Sequence, residues 1–182
     1  MRTRNPPEKR RRIFAAATAD FSKHGIAGAR VDRIAAEAGV SKAQMYAYYG
    51  DKFALFGAVV RAHANAIVDE TPFTAEDLPG YAVALYEAAR ARPDVIRLLI
   101  WARLECVELP LDADGLRAKL DAIAEAQAAG TLDPAISPEN ILALLSTMAL
   151  TWTAMGPLPT AARHDENQAA LRHAVAQAFE RH

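Results

Sequence analysis

The segment Ser41-Lys-Ala-Gln-Met-Tyr-Ala-Tyr-Tyr-Gly-Asp-Lys52 gathers donors and acceptors at a spacing that only a short helix would place together. Lys42 and Gln44 carry N–H donors, Gln44 adds an acceptor, and Ser41, Tyr46, Tyr48 and Tyr49 carry hydroxyls. None of these has the paired base or second carboxylate that acid–base or nucleophilic work requires. The mixture instead suits a nucleic-acid groove, where Gln and Lys match base edges and Tyr reaches phosphates. Met45 and Tyr49, four residues apart, supply the apolar side with which such a helix can face a core.

The elements that must hold this segment are legible just before it. Val31, Ile34, Ala35 and Ala38 recur at i, i+3, i+4 and i+7, which gives a short helix with one buried stripe and leaves Asp32, Arg33 and Glu37 outside. Gly39 accepts the left-handed backbone that ends one helix, and Ser41 can accept from the free N–H groups that open the next. The arrangement is a helix-turn-helix followed by a third helix that starts near Lys52.

These residues resemble the DNA-binding domain of the tetracycline-repressor (TetR) family, over roughly residues 8 to 60. Phe21-Ser-Lys-His-Gly25 is similar to the end of that family's first helix, and the run from Gly39 to Phe56 follows its recognition segment nearly position by position. Arg30 stands where a capping Thr or Ser is common, Tyr49 where Phe is common, and Phe53 where Glu is common. Arg30 cannot cap through a side-chain oxygen, so either the helix begins less well or the guanidinium is recruited to a phosphate. By the resemblance, Lys42, Ala43, Gln44 and Tyr48 approach bases, Gln44 being suited to adenine, and Arg30, Ser41, Tyr46 and Lys52 contact phosphates. The helix start beside Lys52 offers further N–H groups to a phosphate. At least one of Tyr48 and Tyr49 packs between the third helix and the first. Arg2, Arg4 and the run Lys9 to Arg12 either clamp the DNA backbone or are simply solvated.

Proline and glycine punctuation along the chain marks out an all-α fold of about nine helices, with no alternating segment long enough to demand a sheet. By the resemblance, a helix-turn-helix domain over residues 1–50 precedes a helical effector-binding and dimerisation domain over 51–182. The expected activity is a repressor that reads a palindromic double-stranded operator as a homodimer and leaves it when a small molecule binds the second domain. The alternative is a DNA-binding protein whose second domain takes a protein partner and no small effector.

Charge agrees with a basic module beside an acidic one. Residues 1–63 carry 12 Lys and Arg against 5 Asp and Glu, a net +7, whereas the remainder carries 9 against 17, a net −8. A positive module attracts the DNA backbone. A hydrophobic content of 52% over 182 residues supports a real core in one or two modest domains. No stretch reads as a membrane span or a signal peptide, so a cytoplasmic protein is expected. Lone Cys106 is expected to be core, and the scattered His residues give no metal spacing, so neither a metal nor a cofactor is expected. Without a glycine-rich phosphate loop or a nucleophile beside a base, enzymatic activity is not expected either.

Proline, glycine and capping residues set the remaining boundaries. The first helix opens at Asn5, turns Ile13, Phe14, Ala17 and Phe21 inward and ends at Gly25; the fourth runs from Asp51 to Glu70, a natural lever. Further helices are expected over 81–92, 93–109, 116–129, 138–155 and 164–181. The sixth is apolar almost all round, with Arg97, Trp101, Glu105 and Glu108 on one face. That face either lines an effector pocket, Trp101 and Glu105 opposite Met148 and Trp152, or carries a surface ion-pair network with Trp101 covering the core. In the eighth helix Ile141, Leu145, Met148, Trp152 and Met155 form a bulky stripe, and Leu144, Thr147, Thr151 and Ala154 a smaller one open to a second subunit. Leu171, Ala174, Val175 and Ala178 share one side of the last helix, and Leu171 and Val175 are expected in the same interface.

Overall fold

The computed structural model describes residues 6–107, 113–156 and 163–181. Expectations for Arg2, Arg4, Asn5, Glu108 and the Pro157–Pro159 break lie outside these residues. The described elements are α1 (Pro6–Gly28), α2 (Val31–Ala38), α3 (Lys42–Tyr49), α4 (Lys52–Glu70), a 3-10 turn (Ala75–Asp77), α5 (Leu78–Ala91), α6 (Pro93–Leu104), α7 (Ala113–Ala128), α8 (Pro138–Ala149) and α9 (His164–Phe179). The protein is all-α, and the one departure among the described residues is an antiparallel bridge between Leu132 and Glu180.

The chain forms two compact units, residues 1–64 with 94–109, and residues 65–93 with 110–182. The first unit takes in the start of α4 as far as residue 64. The physical reason is a shared core: Leu55, Phe56, Val59 and Val60 of α4 and Leu98 and Ala102 of α6 are buried with Ile13, Ala17, Phe21, Ile34 and Met45. Phe21 and Phe56 meet edge to face at 5.0 Å, a geometry that adds about 0.5–1.5 kcal/mol beyond the area buried.

Within the first unit, α1 breaks at Gly25, whose φ of 64° and ψ of −175° are open only to glycine. A Cβ there would stand 2.8 Å from Trp101 Cε3, so the missing side chain lets the indole of α6 lie directly on the backbone of α1. α6 itself ends at Leu104, five residues before its expected end at residue 109. Val107 N–H bonds to Ala102 O at 2.9 Å while Cys106 takes a left-handed φ of 51°, a helix-ending turn of the kind that glycine usually makes. Cys106 is exposed there and is not a core residue.

In the second unit α5 lies against α8 and α9, and α7 against α8. Its core comprises Leu78, Tyr81, Tyr86, Ile123, Ile141, Leu145, Leu171, Val175 and Phe179. Asp77 caps α5 by accepting the Gly80 N–H at 2.7 Å, and Ser137 caps α8 with Pro138 in first position, as its Ser-Pro-Glu sequence predicts. α8 stops at Ala149 instead of reaching Met155. The stretch from Ser146 to Thr153, across the end of α8, is rich in hydroxyls that turn back on the backbone, Ser146 to Leu142 O at 2.7 Å, Thr147 to Ala143 O at 2.8 Å and Thr153 to Leu150 O at 2.8 Å, and such bonds compete with continued helix. α9 buries Asn167, Leu171, Val175 and Phe179 at intervals of four, so Ala174 and Ala178 lie outside the face expected for them.

Candidate nucleic-acid interface

The recognition segment is an eight-residue helix, too short to persist alone, and it is held by its caps and one anchor. Ser41 has extended backbone (φ −79°, ψ 154°), and its hydroxyl oxygen accepts the Gln44 N–H at 3.1 Å. Gln44 Oε1 in return accepts the Ser41 N–H at 3.1 Å, completing a reciprocal capping box. Met45, 2% exposed, is the one buried side chain of α3. Tyr49 is half-buried and meets Phe14 of α1 edge-on at 5.9 Å, and burial raises the pKa of its phenol. Tyr49 is thus the tyrosine that packs toward the first helix, while Tyr46 and Tyr48 remain 42% and 39% exposed. Lys42, Ala43 and Gln44 are exposed beside them.

Four of the expected DNA contacts, Ser41, Lys42, Gln44 and Lys52, already have partners within the chain. Lys42 Nζ stands 2.8 Å from Asp32 Oδ1 of α2, and this hydrogen bond raises the lysine pKa. The ammonium keeps two further hydrogens for another acceptor. Gln44 Oε1 holds the Ser41 N–H in the capping box and keeps a second lone pair, and the Nε2 hydrogens take no part in the box; Ser41, whose oxygen accepts, still has its hydroxyl hydrogen to donate.

Arg30 is the N-cap of α2 and makes no side-chain cap. The start of the helix is secured from α1 instead: Asp20 Oδ2 accepts the Arg30 backbone N–H at 3.1 Å and Arg33 Nη2 at 3.0 Å, and Asp20 Oδ1 accepts from Arg33 Nε. In a capping box the third helical residue would supply the acceptor for this N–H. That position holds Arg33, which recruits a carboxylate from another helix. Asp20 is 7% exposed, and burial alone would raise its pKa. The hydrogen bonds from Arg33 and from the Arg30 N–H, with the charges of Arg33 and His24, outweigh burial and hold it below the ordinary carboxylate value. The Arg30 side chain is therefore not needed at the cap and stands exposed.

Lys52 Nζ donates to Ala29 O at 3.4 Å, which ties the start of α4 to the start of α2. Of the N–H groups expected to draw a phosphate here, that of Ala54 is already taken by Asp51 Oδ1 at 2.7 Å. Phe53, next in the chain, is 62% exposed. Arg12 of the basic run folds over the turn, with Nη1 3.4 Å from where a Gly39 Cβ would stand. Its Nε and Nη2 are buried without a hydrogen-bond partner. Gly39 has φ 63° and ψ 40°, the left-handed conformation expected of it, and donates its N–H to Ala36 O at 3.1 Å.

The other candidate residues are distributed as follows. Trp101 and Glu105 belong to the first unit, Trp101 packed on its core and on Gly25, Glu105 exposed in the turn after α6. Met148 and Trp152 belong to the second, half-buried against its core, with Trp152 edge-on to Tyr86 at 6.0 Å. Leu144 is 50% exposed, Thr147 is exposed, and Thr151 is half-buried beyond the end of α8. Leu171 and Val175 are 2% and 0% exposed within the single chain, in the core of the second unit with residues of α5 and α8.

Asp20 and Arg33 are the pair that sequence reading missed. The available signal was Asp20 sitting between Ala17 and Phe21 on the apolar side of the first helix, where a carboxylate demands a partner.

Residues 13–59 match the family described as bacterial regulatory proteins, tetR family, and residues 77–181 match the tetracyclin repressor-like C-terminal domain. The chain is 38% identical to the HTH-type transcriptional repressor SCO4008 of Streptomyces coelicolor over 162 residues, 86% of this chain and 84% of that protein. It is 32% identical to the HTH-type transcriptional regulator RutR of Escherichia coli K12 over 157 residues, 79% of this chain and 73% of RutR. The crystal structure of SCO4942 from Streptomyces coelicolor superposes with a TM-score of 0.81 at 40% identity, covering 94% of this chain and 98% of that one. With an exposed, doubly capped second helix of a helix-turn-helix in the first unit, and both halves of the chain matched, the protein belongs to the TetR family of DNA-binding transcriptional regulators.

Proposed function

We propose that the protein represses transcription by binding a palindromic operator as a homodimer, and that a small molecule held in the C-terminal unit releases it. The observation that carries the DNA side of this reading is the α3 surface: Lys42, Gln44, Tyr46 and Tyr48 are all exposed on a helix anchored by buried Met45 and half-buried Tyr49. A helix this short contacts few base pairs, so paired half-sites are what give a regulator of this size useful affinity. The exposed Leu144 and Thr147 on α8 support a second copy docking there. For the effector, Met148 and Trp152 supply a flexible thioether and a flat indole at the margin of the second core, which suits an apolar or aromatic small molecule.

DNA binding is tested by anisotropy over a salt series. Lys52→Ala is expected to weaken binding to every duplex alike and to reduce the slope of log K against log salt by about 1. An unchanged slope would remove Lys52 from the phosphate contacts. The effector is tested by melting the protein against candidate metabolites, since a ligand of the folded state present at 100 times its Kd adds about 2.7 kcal/mol. A screen in which no metabolite raises the melting temperature, while a protein partner does, would favour a C-terminal unit that serves protein association.

A further inference from the structure

Residues 1–63 hold five carboxylates, and two of them serve helix starts. Asp20 accepts the Arg30 N–H and Arg33 at the start of α2, and Asp51 accepts the Ala54 N–H at the start of α4. Asp32 makes no such bond to a backbone N–H among the described residues. It lies in the first turn of α2 with its side chain 72% exposed, and its Oδ1 reaches across the helix-turn-helix to Nζ of Lys42, the first residue of the recognition helix, at 2.8 Å. Lys42 is itself 52% exposed, and this bond raises its pKa. An exposed ion pair and an acid in a helix's first turn each stabilise only modestly, so stability does not explain a carboxylate on the reading surface. Its charge opposes the phosphate backbone that the rest of this basic module attracts.

Resting on the DNA-binding reading, we propose that Asp32 is a specificity-determining residue that acts through Lys42, holding its ammonium in a neutral pair that serves base acceptors and gains little from phosphates. The two kinds of target differ in charge. A lysine by itself neutralises a phosphate and releases a counterion on any sequence, so that contribution to binding is blind to the bases. Paired with Asp32, it brings no net charge to the backbone. A phosphate that approaches the ammonium also meets the repulsion of the carboxylate beside it. The acceptors on a base edge, such as O6 and N7 of guanine, are neutral, so that repulsion is weak while the two ammonium hydrogens left by Asp32 remain to donate. Holding the ammonium also narrows the base position it can reach. Binding to wrong sequences therefore loses more than binding to the right one, and the ratio of the two affinities rises.

The test uses the full chain as wild type, Asp32→Asn, Lys42→Ala and the double variant. Selection from a randomised duplex library followed by sequencing gives the base preferences of each, and anisotropy at one salt concentration gives the affinity for the wild-type site and for a scrambled duplex. Both side chains are at least half exposed, so every variant is expected to melt close to the wild type. Asp32→Asn is expected to bind the scrambled duplex about 2- to 5-fold more tightly, the strength of an exposed ion pair, and to lower the ratio of the two affinities. It is also expected to flatten the preference at one base pair, the same pair that Lys42→Ala flattens. In the Lys42→Ala background Asp32→Asn is expected to alter no base preference, because the group it acts through is gone. Simple loss of a negative charge beside DNA would instead strengthen binding to both duplexes alike. An Asp32→Asn chain whose ratio is unchanged or higher overturns the proposal. So does flattening at no pair, or at a pair that Lys42→Ala leaves intact, or a preference that Asp32→Asn still alters without Lys42. A wild-type chain that enriches no sequence at all would refute the DNA-binding reading itself, an outcome distinct from a selected site whose preferences do not depend on Asp32.

Discussion

Asp20 shows how one buried carboxylate can set the pH response of the whole reading unit. Its folded-state pKa lies below the unfolded value of about 3.9, so the unfolded chain binds more protons in acid. The stabilisation is complete above that unfolded value and is lost as the pH falls through the lower folded value. Asp20→Asn is therefore expected to lower stability at pH 7 by about 1.5–3 kcal/mol, the worth of hydrogen bonds to a charged group, and to flatten the acid limb of the stability curve between about pH 5 and pH 2. Urea unfolding across that range measures both effects. A mutant as acid-sensitive as the wild type would move the linkage to another group. Arg33, the partner, is itself shifted upward by its bond to Asp20 and stays charged throughout.

Among the elements, the junction of α1 with α6 is the least tolerant of change. Gly25 is required twice, for a positive φ with extended ψ and for the 2.8 Å that a Cβ would leave to the Trp101 ring. Gly25→Ala is expected to cost at least about 2 kcal/mol, combining backbone strain with overpacking. Adding Trp101→Ala in the same chain removes the clash and leaves the strain. The two losses should then sum to more than the double mutant shows in urea unfolding, whereas strict additivity would mean that the ring and the glycine do not press on each other. Trp101 packs on the first core and on Gly25, so its removal is expected to lower the stability of the first unit. α3 combines both kinds of support: its caps are local in sequence, while Met45 in the core and Tyr49 against Phe14 tie it to α1.

At the scale of the whole molecule, the proposed dimer makes the sharpest demand. Leu144→Glu is expected to yield a monomer with unchanged helical circular dichroism and sharply weaker operator binding, because the two half-sites are no longer read together. Sedimentation of the variant as a dimer would place the interface off the exposed face of α8. Buried Leu171 and Val175 are not substitutes in this test, since charging either would damage the core of the second unit.

Much of this was already written in local sequence. The helix-turn-helix, the left-handed Gly39, the capping Ser41 and the buried stripe Val31, Ile34, Ala35 and Ala38 follow from spacing and residue type, because helix periodicity, turn conformation and capping are short-range physics. So did the start of α8 at Ser137-Pro138-Glu139. Local sequence did not say which side of α9 is buried, since Phe179 completes a face with Asn167, Leu171 and Val175 only when α5 and α8 cover it. Nor did it say that Asp20 rather than Arg30 secures α2, that Trp101 lies on Gly25, or that Arg12 folds over Gly39. Each of these depends on groups far apart in the chain being brought within bonding distance, and burial then decides which partner a charged or aromatic group must take.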